Sequence, residues 1–148
     1  MKRSNLLAIA VSLGTASFLL CGASFAPSVL ASSKKATSIA INAANFPNAA
    51  FREYVREFDL DNNGAFSEQE IKKITDIEIF DNTAVTNLKG IEFFTYLETL
   101  DCSYDNISSL NLSNNRSLWF LNCEYNNLSS LNLTYNPNLD TLFCEGNT

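Results

Sequence analysis

From Asp59 to Glu70, oxygen-bearing side chains recur at short intervals: Asp59, Asp61, Asn63, Ser67 and Glu70, with Gly64 between them. Carboxylates at the first and third places, an amide oxygen at the fifth, a hydroxyl at the ninth and a carboxylate at the twelfth can close on one hard cation. Ala65, at the seventh place, adds its backbone carbonyl. Calcium accepts such a crowd of oxygens, and Glu70 can offer both of its own. Magnesium, smaller and octahedral, fits poorly. Gly64 permits the positive φ that the sharp turn needs. The expected group is therefore a structural calcium ion held by Asp59, Asp61, Asn63, Ala65, Ser67 and Glu70. The affinity expected of one such loop is modest, ~10⁻⁴–10⁻³ M.

Two helices must position that loop. Asn48 can cap a helix, and Phe51, Tyr54, Val55 and Phe58 follow at the spacing of one helical face. Asn45-Phe46-Pro47 reads as a turn ahead of it. The exit helix is short, over about 68–73, and Ser67 with Glu70 also forms a capping box. The whole, over 45–73, is an EF-hand-like helical cap. A turn and cap with no metal is the alternative, because the capping box alone accounts for Ser67 and Glu70.

Beyond the cap the chain repeats itself. Leu97, Leu100, Cys102 and Asp105 are followed by Leu118, Leu121, Cys123 and Asn126, then Leu139, Leu142, Cys144 and Asn147. The period is 21 residues, and Ile74, Ile77, Ile79 and Asn82 form an earlier copy 23 residues ahead. The unit L-x-x-L-x-C-x-x-N is a leucine-rich-repeat signature with Cys where Leu is usual. One such coil cannot bury its apolar edge alone, so neighbours stack as parallel strands. The ninth-position amide is placed to satisfy backbone groups where the chain leaves the strand. The expected fold is an α+β solenoid: a short parallel-strand leucine-rich-repeat stack over 74–148, with coils 74–96, 97–117, 118–138 and a truncated 139–148, closed by the cap.

The start of the chain reads differently. Lys2 and Arg3 precede an uncharged apolar stretch, and Val29-Leu30-Ala31 offers small residues before Ser32. That is a signal peptide over 1–31, and 32–44 reads as a flexible leader. The apolar run falls short of the ~20 residues a span needs, so no stable membrane span is expected after cleavage. Leu20 before Cys21 argues against lipidation there. The three remaining cysteines are odd in number and lie side by side, so free buried thiols are expected rather than disulfides.

Val85-Thr-Asn-Leu88-Lys-Gly-Ile91 with Leu97-Glu-Thr-Leu100 resembles the repeats of secreted leucine-rich-repeat proteins of Gram-positive bacteria, of the internalin-like kind. The resemblance implies adhesion or recognition at a cell surface. It names no partner, because the outward strand residues that choose one vary freely. Internalin caps resemble an EF-hand stripped of its ligands; this chain departs by keeping them, by its period and by its strand cysteines. Alternation along the strands turns Phe80, Asp101, Phe120, Glu124 and Phe143 outward, with Tyr104 and Tyr125 flanking them. Such a face suits a protein ligand with basic groups, or a glycan stacked on the rings.

Composition closes other doors. The chain has 16 acidic and 10 basic residues and no histidine. No basic patch invites nucleic acid. Ser-His and Cys-His nucleophile pairs cannot form. A paired-carboxylate hydrolase is the catalytic class left easy, but the acids fall on the loop or one to a coil, so an enzyme is not expected. A dockerin-like assembly module has tandem loops and lacks the entering helix, and here there is one loop with a clear one. The chain stops ten residues into its last coil, which reads as a fragment of a longer repeat protein, a larger secreted enzyme being one alternative.

Overall fold

The structure, a computed structural model, describes residues 38–148. The signal-peptide reading over 1–31 and the first part of the leader lie outside the described residues. From Ile39 onward the expected leader is instead part of the cap. Strand β1 (Ile39–Ala40) pairs antiparallel with β2 (Ala65–Phe66) inside the oxygen-rich loop. Ile41 is buried, and its N–H donates to the Gly64 carbonyl at 2.9 Å. Two apolar residues in a polar stretch carry little periodicity, yet the loop's backbone edge needs a partner and β1 supplies it.

Helix α1 (Ala49–Val55) starts at Asn48, whose side chain accepts from the Phe51 N–H, as expected. It tightens into a 3-10 turn over Arg56–Phe58 rather than continuing as α-helix. Phe51 and Val55 are buried, while Tyr54 and Phe58 pack against the core from its margin. The exit helix α2 (Glu68–Ile71) is one turn, shorter than read, with both hydrogen bonds of the capping box formed.

Phe46 is the centre of the cap. It is fully buried, and its ring lies 5.7–6.0 Å from those of Phe51, Phe66, Phe93 and Phe94. Phe93 and Phe94 belong to the return path of the first repeat coil, so one side chain joins cap to solenoid. Gly90 makes room for it. Its φ is +109°, and a Cβ there would fall 2.2 Å from the Phe46 ring.

The solenoid follows the repeat register. Strands β3 (Asp76–Glu78), β4 (Thr99–Asp101), β5 (Phe120–Asn122) and β6 (Thr141–Phe143) form one parallel sheet in chain order. Ile77, Leu100, Leu121 and Leu142 stand in one row across it. The first three are fully buried; Leu142, on the outermost strand, is 40% exposed. Val85, Leu88, Ile91 and Phe94 fill the first return path, all buried. The three described cysteines are free thiols, as expected; Cys102 and Cys123 are buried, but Cys144, just after the outermost strand with no coil stacked on it among the described residues, is exposed. Burial pushes the Cys123 thiol up to about 12, with Cys144 and Glu124 adding to it. Burial raises Cys102 well above its ordinary value too. Neither is a nucleophile at neutral pH.

Two buried rows of amides tie the coils. Asn126 Nδ2 donates to the carbonyls of Cys102, Cys123 and Glu124 at 2.7, 3.3 and 3.1 Å, and its Oδ1 accepts from the Ile107 N–H at 2.9 Å. Asn147 repeats this one coil on, to Cys123, Cys144 and Leu128. On the opposite side of the coil, Asn115 Nδ2 donates to the Ile91 and Phe94 carbonyls and Asn136 Nδ2 to those of Leu112 and Asn115. The ninth-position amides do the backbone work expected of them.

Candidate functional site

The oxygen-rich loop brings three of its four carboxylates together. One oxygen each from Asp59, Asp61 and Glu70 lies within 4.8 Å of the others. Asp59 and Glu70 are buried and Asp61 is exposed. The backbone makes this possible through positive φ at Asn62 (54°) and at Gly64 (81°). Asp59 accepts from the N–H groups of Asn63 and Gly64 at 3.2 and 2.8 Å. Asp61 accepts from Asn63 N–H and Nδ2, and Asn63 Oδ1 accepts from the Ala65 N–H.

Glu70 spans the loop. Its Oε1 accepts from the Leu60 N–H at 2.9 Å, and Oε2 from the Ser67 N–H and Oγ–H at 2.8 and 2.7 Å. The Ser67 backbone and hydroxyl bonds, with help from Leu60 and Asp61, hold its carboxyl below the usual range. It stays ionised near neutral pH. The donors are hard oxygens on a preformed turn, which fits a calcium ion held by Asp59, Asp61, Asn63, Ser67 and Glu70 with the Ala65 carbonyl on β2.

The second candidate is the outward face of the sheet. Phe80, Tyr104, Tyr125 and Phe143 are exposed by 54, 52, 50 and 45%. Asp101, Phe120 and Glu124 are half-buried. Tyr104 and Tyr125 stack with ring centroids 4.6 Å apart and planes within 15°. Both have positive φ, as do Asp81 and Gly146 at the same place in their coils. Gly146 lets the Tyr125 ring lie against the backbone, since a Cβ would come within 2.6 Å of it. Phe120 and Phe143 are 6.0 Å apart, and Trp119 packs edge-on to Phe120 at 5.9 Å.

Trp119, 44% exposed, is a surface ring beside the sheet face that the alternation missed. It occupies the first variable place of L-x-x-L, just before the strand, and its ring extends the aromatic patch sideways. Ser103, outward by alternation, is buried, because its hydroxyl folds onto Asp101 Oδ1 at 2.7 Å. Acidic side chains gather on the cap-proximal half: Asp76, Glu78, Asp81 and Asp101. Glu124 and Glu145 continue them across β5 and β6. Residues 76–81, 99–104, 120–125 and 141–146 contain no lysine or arginine.

A parallel-strand solenoid with this amide ladder is a leucine-rich-repeat fold. Its likeness to known proteins is specific: the fold is internalin-like. Internalin J of Listeria monocytogenes is 32% identical over 71 residues, which are 47% of this chain and 8% of the relative. The solved functional domain of the internalin InlJ from the same species, described as including a cysteine ladder, aligns over 76% of this chain and 25% of its own. There the sequence identity is 28% and the TM-score 0.65. The structure of the Listeria internalin InlF matches with a TM-score of 0.67 at 24% identity, over 75% of this chain and 33% of its own. The chain thus spans a third or less of each of these relatives. No protein-family model matches it. Among the described residues no helix is long and apolar enough to cross a membrane.

Proposed function

We propose that this chain is an exported recognition module that grips a protein partner through the outward face of its sheet, while a calcium ion steadies its cap. The observation that carries the reading is the make-up of that face. Carboxylates run across the face, densest on its cap-proximal half, exposed rings are interspersed among them from Phe80 to Phe143, and no cation interrupts either. Such a surface complements a protein that presents basic residues beside an apolar patch. The internalin-like fold supports recognition over catalysis.

The test is titration with arginine- and lysine-rich peptides carrying aliphatic residues, beside acidic peptides and a panel of neutral oligosaccharides. An exposed ion pair contributes only ~0.2–1 kcal/mol, so two reversals together are needed for a clear effect. Asp101→Lys with Glu124→Lys should weaken basic-peptide binding about tenfold, and raised salt should weaken wild-type binding alike. The exposed Trp119 and Phe143 rings, with half-buried Phe120 between them, favour a glycan as second reading. Salt-independent oligosaccharide binding lost on Trp119→Ala would replace the first reading with that one.

Calcium has its own test. Addition of calcium should raise the melting temperature, because an ion bound only by the folded chain stabilises it by about 1.4 kcal/mol at ten times Kd. Glu70→Gln is the discriminating variant. It preserves a Ser-x-x-Gln capping box but removes the two-oxygen ligand. The variant should fold, and its melting curve should ignore calcium. A wild-type curve unmoved by millimolar calcium would remove the ion from the cap.

A further inference from the structure

The amide row that joins the coils has one member of a different kind. Asp105 occupies the place that Asn126 and Asn147 hold in the next two coils. Each of those amides offers one acceptor to a backbone N–H and one donor group to strand-end carbonyls. An ionised aspartate has two acceptors and no donor. Asp105 Oδ1 is used: it accepts from the Asn82 N–H at 2.7 Å. Oδ2 is buried and has no hydrogen-bond partner. The side chain is enclosed, with the residue only 4% exposed.

By the repeat register, the carbonyls matching those that Asn126 ties are Ile79, Cys102 and Ser103. A carboxylate oxygen turned toward carbonyl oxygens is repelled; a carboxylic acid there becomes a donor. We infer that Asp105 is a proton-operated rung of the ladder, which ties the first and second coils together when neutral and loosens that junction when ionised.

The surrounding charge agrees. Burial is the main cause that pushes the Asp105 carboxyl up to about 6, partly offset by the Asn82 N–H. Asp101 at the end of β4 and Asp81 on the turn after β3 both add to the rise. Cys102, its other titratable neighbour, is a neutral thiol at these pH values. The sign follows from linkage. The folded value, about 6, lies above the ordinary 3.8. The stabilisation is therefore fully present below about 4 and is lost as pH rises through about 6. At neutral pH the ion is buried beside an unpaired oxygen, and folding carries that cost.

The junction matters because Tyr104, the residue before Asp105, stacks on Tyr125 at the flank of the sheet face. The rung stands on the buried Asp105 side chain and the repeat register, and holds whether or not that face binds a protein.

Two measurements test it on the purified chain. The first compares melting temperature against pH for wild type and Asp105→Asn. The amide supplies the donor at every pH, so the variant should be more stable than wild type by about 5 °C or more near pH 7.5, and the gap should close near pH 4.5. Other carboxylates, the calcium loop included, titrate in both proteins and cancel in the difference. The second follows the Asp105 carboxyl carbon by NMR in the wild-type chain, so it does not depend on the variant folding. A midpoint near 6 is expected; a midpoint near 4 would overturn the inference, as would parallel melting profiles for the two proteins.

Discussion

Phe46→Ala lowers stability by about 3–5 kcal/mol, the range for removing a fully buried phenylalanine ring. The loss should lie at the upper end. Four other rings, Phe51, Phe66, Phe93 and Phe94, close around this one within 6.0 Å. They come from the helix, the loop strand and the first return path, elements too well fixed by their own backbone bonds to collapse into the hole. Urea denaturation reads the change in midpoint directly. A Phe46→Leu variant should recover part of the loss, since it refills volume without restoring the edge-on ring contacts. An alanine variant within 1 kcal/mol of wild type would mean that cap and solenoid are not joined through this side chain.

Asn126→Leu is the second large effect, about 3–4 kcal/mol. The substitution keeps the size and removes the amide. The Cys102 carbonyl and the Ile107 N–H then lose their partner in a buried turn, while the Cys123 and Glu124 carbonyls keep bonds from Asn147 Nδ2 and the Tyr104 N–H; each buried polar group left unpaired costs roughly 1–3 kcal/mol. Hydrogen exchange should localise the damage, with protection lost first at the Ile107 amide, which Asn126 Oδ1 now holds. Undiminished protection there would show that the ladder is decoration rather than structure.

These two residues differ in how plainly the sequence announces them. Asn126 recurs in register, so its spacing alone marks it as a turn amide with backbone to satisfy. The inward rows of leucine and cysteine are legible for the same reason, and so is the gathering of Asp59, Asp61 and Glu70 in one loop, which their order along twelve residues announces. Phe46 has no periodicity to betray it. It sits between Asn45 and Pro47, residues that mark a turn, and its partners lie up to 48 positions away, at Phe94. Strand β1 escaped notice similarly: two residues make no pattern, and the edge they cover is visible only once the loop is folded. Trp119 was hidden by the rule that found the rest. Strict alternation assigns inward and outward places within a strand, and this ring reaches the surface from just before one. Asp105 was legible as a repeat position and not as an exception, because its meaning depends on which of its oxygens is left unpaired.

The sheet register has a consequence for how such a protein can change over generations. From Leu100 to Leu121 and from Leu121 to Leu142 the step is the same 21 residues. Duplicating or excising one 21-residue segment in that stretch of the gene rejoins leucine to leucine, thiol to thiol and amide to carbonyl, with no new interface to invent. The outward residues, free of those duties, can diverge copy by copy. The first coil is barred from this. Its 23-residue step from Ile77 to Leu100 and its Gly90, cut away for the Phe46 ring, fit only the cap. Growth and shrinkage of the sheet face by whole repeats are thereby confined to the coils away from the cap.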